Sequence, residues 1–171
     1  MSANRDRVDR IQDEWRIARP DLDPSPQGVI GRLHRVANAL TAQLNAVYAA
    51  HGLTEPEFDL LASLRRSPGG ELPAGELAAH TMVTTGGLTK RVDRLVARGL
   101  VVRTGTPEDA RRRMIRLTDA GTALIDEAFT AHMANEHRLL AELGADDTAA
   151  IEPILRRWLA LLEPDQAASA R

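Results

Sequence analysis

Cysteine is absent from this sequence, and with it go disulfides, thiolate metal sites and thiol-based redox sensing. Aromatic residues make up only 3%, so a core must be built from Leu, Val, Ile and Ala, a palette that favours helices over a sheet sandwich. No apolar run approaches the length needed to span a bilayer, and the opening Met1 to Arg10 is polar and charged, without the apolar stretch of a secretion signal. A soluble, cytoplasmic protein with no membrane partner is expected. Lysine occurs once, at Lys90, among 22 basic residues, a bias that genome base composition explains as readily as function. The 171 residues, 43% of them hydrophobic, suffice for one mainly α structural domain.

Signatures of catalysis are missing too. No phosphate loop, nucleophile elbow or paired-carboxylate pattern is present. His34, His51, His80, His132 and His137 are scattered, and His132 and His137, five apart, fall on different faces of a helix rather than at metal-ligand spacing. No catalytic residue, metal or cofactor is expected.

What is present is a local excess of positive charge. Between Thr84 and Leu117 stand Lys90, Arg91, Arg94, Arg98, Arg103, Arg111, Arg112, Arg113 and Arg116, opposed only by Asp93, Glu108 and Asp109, a surplus of six in a chain whose formal net charge is -2. The remainder of the chain is therefore acidic. Such a partition points to one polyanion-binding face rather than general stickiness.

Periodicity supplies the elements. Val8, Ile11, Trp15 and Ala18 form the apolar stripe of a short helix that stops at Pro20. Ser25 followed by Pro26 reads as the N-cap of a second helix, in which Ile30, Leu33, Ala37, Leu40, Leu44 and Val47 make more apolar seam than a lone surface helix needs. Thr54 to Glu57 opens a third, carrying Phe58, Leu60, Leu61 and Leu64 to the turn at Ser67 to Gly70, after which Pro73 starts a short helix with Leu77 inward. Past Thr81 to Val83 a longer helix puts Leu88, Val92, Leu95 and Val96 on one face and closes at Gly99. Leu100 to Arg103 and Met114 to Leu117 bracket a turn-rich stretch and predict a two-stranded β wing. From Thr118 a long helix runs to Gly144, and a last one, capped by Asp146 or Asp147, carries Ile151, Ile154, Leu155, Trp158, Leu159 and Leu162. The expected organisation is an N-terminal extension and dimerisation helix over 1–52, a winged helix-turn-helix lobe over 53–118, and C-terminal dimerisation helices over 119–171.

A helix that enters the DNA major groove meets base edges near its N-terminus and phosphates along its flanks. Thr84, Thr85, Thr89, Lys90 and Arg94 occupy those places. Gly86 and Gly87 sit in the first turn, where small residues permit close approach although each costs a helix roughly 1 kcal/mol. At the wing tip, Arg111, Arg112 and Arg113 suit a narrow, A·T-rich minor groove, with Arg111 the first choice for insertion and Asp109 positioning it. Double-stranded DNA is the expected partner. Three amphipathic helices around a small winged core also leave more seam than one chain covers, so a homodimer is expected.

Gly28 to Leu162 resembles the MarR-type winged helix-turn-helix regulators. The resemblance is carried by Leu53-Thr54 with Glu57-Phe58-Asp59-Leu60-Leu61, Glu76-Leu77-Ala78, Leu88-Thr89-Lys90-Arg91-Val92, Leu95 and Gly99-Leu100-Val101. Its most specific part is Asp109-x-Arg111-x-x-x-Ile115-x-Leu117-Thr118 followed by Gly121. The resemblance implies an obligate homodimer on a pseudo-palindromic operator and a small anionic or phenolic ligand between the dimer helices and the lobes. Within the family the chain is similar to the urate-responsive subset with an extra N-terminal helix, through Trp15, Asp59, Arg91 and Arg103. By that likeness Arg103 anchors the anion, Trp15 stacks on its ring, and Asp59 pairs with Arg91. On the residues alone, Trp15 belongs equally to the apolar stripe of its helix, Asp59 to a helix surface, and Arg91 and Arg103 to phosphate contact. The expected function is a transcriptional regulator, a repressor released by a small aromatic anion such as urate; the alternative is a ligand-independent regulator or activator of the same fold.

Overall fold

Helix α1 (Arg7–Ala18) begins at Asp6, whose side chain accepts from the Val8 and Asp9 amides while the Asp9 side chain caps the Asp6 amide in return. In the computed structural model, which describes residues 5–80, 85–105 and 114–163, the chain divides into two compact units, Met1–Glu55 and Pro56–Arg171.

The first unit packs α1 on α2 (Gln27–Ala50). Only part of the expected stripe on α1 is used. Val8 is buried, whereas Trp15 remains 47% exposed. The second buried position is polar: Gln12 donates from Nε2 to the Pro24 and Ser25 carbonyls, 2.9 and 3.2 Å away, which satisfies the connector's backbone. Ser25 does not cap α2. Its hydroxyl donates to Asp23 at 2.6 Å, and the cap position falls to Pro26, with no side-chain hydrogen bond. Across the two helices Arg32 donates from Nε to Asp6 at 2.8 Å and from Nη2 to Asp9 at 2.7 Å.

The second unit holds the winged core. α3 (Glu55–Arg65) is followed by a short turn, strand β1 (Glu71–Pro73), α4 (Ala74–His80) and α5 (Thr85–Ala97). Strands β2 (Val101–Thr104) and β3 (Met114–Leu117) then lead to α6 (Asp119–Leu143) and α7 (Ala145–Leu162). The expected two-stranded wing is thus a three-stranded antiparallel sheet in the order β1-β3-β2. Glu71 pairs with Arg116 and Leu72 with Ile115 on one side of β3, and Val101 with Leu117 on the other. Three residues ending in proline show no alternation that sequence periodicity registers; pairing with β3 is what makes them a strand. Leu60, Leu61, Leu64, Leu77, Leu88, Val92, Leu95, Val101, Ile115, Ile125 and Ala128 form the buried core. Val96, assigned to the inner face of α5 from spacing, is 37% exposed. Neither Asp146 nor Asp147 caps α7: Gly144 holds the cap position, and both acids lie in the first turn, where they complement the helix dipole. No described helix is long and apolar enough to cross a membrane.

One junction fixes the lobe to α6. α5 ends in a Schellman arrangement, with the Gly99 amide on the Val96 carbonyl and the Leu100 amide on that of Leu95, both at 2.9 Å; Gly99 takes φ 70°, where a side chain is disfavoured. The Leu100 carbonyl accepts from the Thr118 amide at 3.1 Å, the Thr118 hydroxyl donates to the Gly99 carbonyl at 2.7 Å with Leu100 O 3.1 Å away as a second acceptor, and Thr118 Oγ1 caps α6 by accepting from Gly121 N at 3.0 Å. A Cβ on Gly121 would lie 1.9 Å from the Leu100 oxygen. The threonine and glycine of the family signature are thereby explained: one closes the junction and the other lets it close.

Two predictions follow from these contacts. Gly121→Ala should destabilise the fold by about 1–3 kcal/mol or more, since the obstructing atom is backbone and cannot rotate away; an unchanged urea midpoint would refute this. In the first unit, Arg32 holds the Asp6 carboxyl down to about 2 and also lowers Asp9. Folded values below unfolded ones mean that this contribution is complete above about pH 4 and is lost as pH falls toward 2. Trp15 fluorescence in a Trp158→Phe background should stay flat down to about pH 4 and change below it. Arg32→Ala should move the change upward, and identical curves would show that the clasp stabilises nothing.

Candidate nucleic-acid interface

α5 presents its charged side because Leu88, Val92 and Leu95, at steps of four and three, are 5%, 2% and 0% exposed and fix the helix's roll. Thr89, Lys90 and Arg94 are exposed on the remaining faces, with Lys90 most nearly opposite the buried stripe. Thr85 opens the helix. Thr84 and the wing-tip Arg111, Arg112 and Arg113 lie outside the described residues. The wing base is described, with Arg116 exposed on β3.

Acidic side chains hold arginines on two flanks of α5. On one, Arg94 Nε lies 3.3 Å from Glu57 Oε1 and Arg98 Nη1 lies 3.9 Å from Glu57 Oε2; Glu57 itself is buried. On the other, Asp93 Oδ1 meets Arg103 Nη1 at 2.7 Å, joining α5 to β2. Sequence reasoning named both acids without giving either a role, and did not single out Arg98 from the other basic residues. The available signals were the four-residue step from Arg94 to Arg98 and a carboxylate at the start of the hydrophobic run of α3.

The residues expected to bind an anion are distributed as follows. Trp15 belongs to the first unit and Asp59, Arg91 and Arg103 to the second. Arg103 lines a cavity of about 310 Å³ together with Ala74, Leu88, Thr89, Val92, Asp93 and Ile115. Asp59 is half-buried; burial pushes its carboxyl above the usual range, and the charge of Arg66 opposes that shift. Arg91 keeps Nη1 buried with no hydrogen-bond partner among the described residues. Among the described residues no ion pair joins Asp59 to Arg91. The acid of α3 that meets α5 is Glu57, and two residues of helix place Asp59 on a different face from it.

A short helix, a second helix with an exposed basic face, and a β-hairpin wing define a winged helix-turn-helix DNA-binding protein. The MarR family model matches residues 51–112. The HTH-type transcriptional regulator PecS of Dickeya dadantii is 36% identical over 88% of this chain and 91% of its own length. The HTH-type transcriptional repressor Mb2911 of Mycobacterium bovis is 33% identical over 79% and 94%. The crystal structure of Sco3205 from Streptomyces coelicolor, a MarR family transcriptional regulator in complex with DNA, superposes with a TM-score of 0.73 at 25% identity, covering 85% of this chain and 92% of that one. The chain belongs to the MarR family, and it is a DNA-binding transcriptional regulator rather than an enzyme.

Proposed function

We propose that the protein is a repressor that binds a pseudo-palindromic operator as a homodimer and leaves it when a small aromatic anion, urate or a phenolic compound, binds. The observation that carries this reading is the placement of Thr89: it is exposed on α5 and also lines the cavity that holds Arg103, so a ligand seated there competes with DNA for the same helix. Binding energy realised in only one state shifts the population toward it. In this reading Thr84, Thr85, Thr89, Lys90 and Arg94 serve the major groove, Arg111, Arg112 and Arg113 the minor groove, and Trp15, Asp59, Arg91 and Arg103 sense the anion.

The homodimer is supported by apolar surface that a single chain leaves open. On α7, Ile151, Ile154, Leu155, Leu159 and Leu162 form a stripe with each residue at least 40% exposed. In the first unit, Val29, Ile30, Val36 and Leu40 of α2 are 40–61% exposed. Repression is supported by the 33% identical mycobacterial relative, which carries that designation. The second reading, a regulator without a small ligand, is favoured by the 2.7 Å ion pair that already engages Arg103.

Enrichment of duplexes from a random pool should yield an inverted repeat with half-sites about one helical turn apart. Lys90→Ala should change base preference or lower the salt slope by about one unit; if it does neither, α5 does not face DNA as proposed. Urate, salicylate-like phenolates and other aromatic anions should then release the selected duplex. Arg103→Ala and Trp15→Ala should weaken release while leaving binding without ligand within a few-fold. If all of these anions leave the complex intact, the second reading holds.

A further inference from the structure

Glu57 is an acid where acids are rarely found: its side chain is 7% exposed, near the start of α3. A buried carboxylate is tolerated when cations and hydrogen bonds compensate it. Here each oxygen faces a different arginine, Oε1 toward Arg94 and Oε2 toward Arg98. The two arginines stand four residues apart, on successive turns of one flank of α5.

That flank borders the outward face bearing Lys90. Arg94 keeps 60% of its side chain exposed and Arg98 keeps 38%. Each guanidinium has five donors in a fixed fork, so engaging one carboxylate oxygen leaves several donors turned to solvent. When the outward face of a helix lies in the major groove, its flank runs alongside the sugar-phosphate backbone. The trio retains a net positive charge, and its guanidinium groups are already oriented.

We infer that Arg94 and Arg98 form a two-rung phosphate contact along α5, with Arg98 a DNA-contacting residue and Glu57 a positioning residue that holds both guanidinium groups in place. The buried acid prepays the ordering of two long side chains, which otherwise falls due on binding. It also keys α5 to α3, so that phosphate register and base-reading register are set together. Arg94 accordingly reads backbone rather than base.

The test uses the full-length protein and fluorescence anisotropy on a duplex enriched from a random pool by the wild type, beside a scrambled duplex, across a potassium chloride series. Arg98→Ala and Arg94→Ala should each reduce the slope of log affinity against log salt by ~0.9, one phosphate apiece, on both duplexes. Glu57→Gln should weaken binding about tenfold, within the range shown by coupled neighbours, and should cost almost nothing further in the Arg94→Ala/Arg98→Ala background. An Arg98→Ala slope equal to wild type overturns the phosphate assignment. An equal loss from Glu57→Gln with and without the arginines overturns the positioning role and leaves Glu57 a fold-stabilising acid. Should Glu57→Gln fail to fold, Glu57→Asp takes its place in the same cycle under the same criteria. Arg98, on the surface, carries the slope measurement in either case.

Discussion

The carbonyl of Leu100 is the point on which the DNA-facing half of the molecule hangs. It accepts from the Thr118 amide, while the Thr118 hydroxyl reaches the adjacent Gly99 carbonyl at 2.7 Å and lies 3.1 Å from Leu100's own. Gly121 passes so close that no side chain fits between. Three elements meet there: the end of α5, the base of the wing and the start of α6. Each hydrogen bond contributes only about 1 kcal/mol net. Steric closeness makes the arrangement specific, because a junction closed by glycine has no alternative packing in which a larger residue is accommodated.

From that junction outward, charge is arranged for direction more than for stability. Exposed ion pairs such as Arg65 with Asp126 contribute little, typically below about 1 kcal/mol. Glu57 and Asp93 differ in what they join. Glu57 ties the flank of α5 to α3, and Asp93 ties α5 to β2 through Arg103. An arginine on either side of α5 is thus held by an acid, set relative to the face that the proposed interface turns to DNA. In the proposed interface the local surplus of basic residues draws in a polyanion, and the buried acid beneath it readies two of the donors.

Much of this was legible from the chain. The spacing of Leu88, Val92 and Leu95 predicts which side of α5 is buried, and the threonine and glycine of the signature mark the wing-to-α6 junction. Long amphipathic helices and a glycine-closed recognition helix are local patterns, so one-dimensional reading captures them. What escaped it depends on partners distant in sequence. β1 exists through β3, and Gln12 is buried because two connector carbonyls need donors. Asp59 drew attention through resemblance, whereas the pairing with α5 belongs to Glu57, a choice decided by which side of α3 faces α5. Ser25 had the composition of a cap but bonds to Asp23 instead, since short polar side chains before a helix have several local acceptors to choose from.

The same junction bears on how a distant event reaches DNA. α6 has 25 residues and, at 1.5 Å per residue, extends for roughly 37 Å from its cap at Thr118. Its capped end is rigidly joined to the end of α5, while Leu140 and Leu143 near its far end are 48% and 43% exposed, and the apolar stripe of α7 follows. Under the proposed dimer, those far ends are where the partner engages. A helix held by hydrogen bonds and a glycine contact at one end, and by a partner at the other, is a lever: a small change in its tilt moves α5 as a body rather than bending it. Under the proposed ligand site, an anion in the cavity beside Thr89 acts at the short arm, where a small shift of α5 carries its exposed face and its flank together. Under that proposal, regulation needs no unfolding of α5, only a biased choice between two orientations of the lobe.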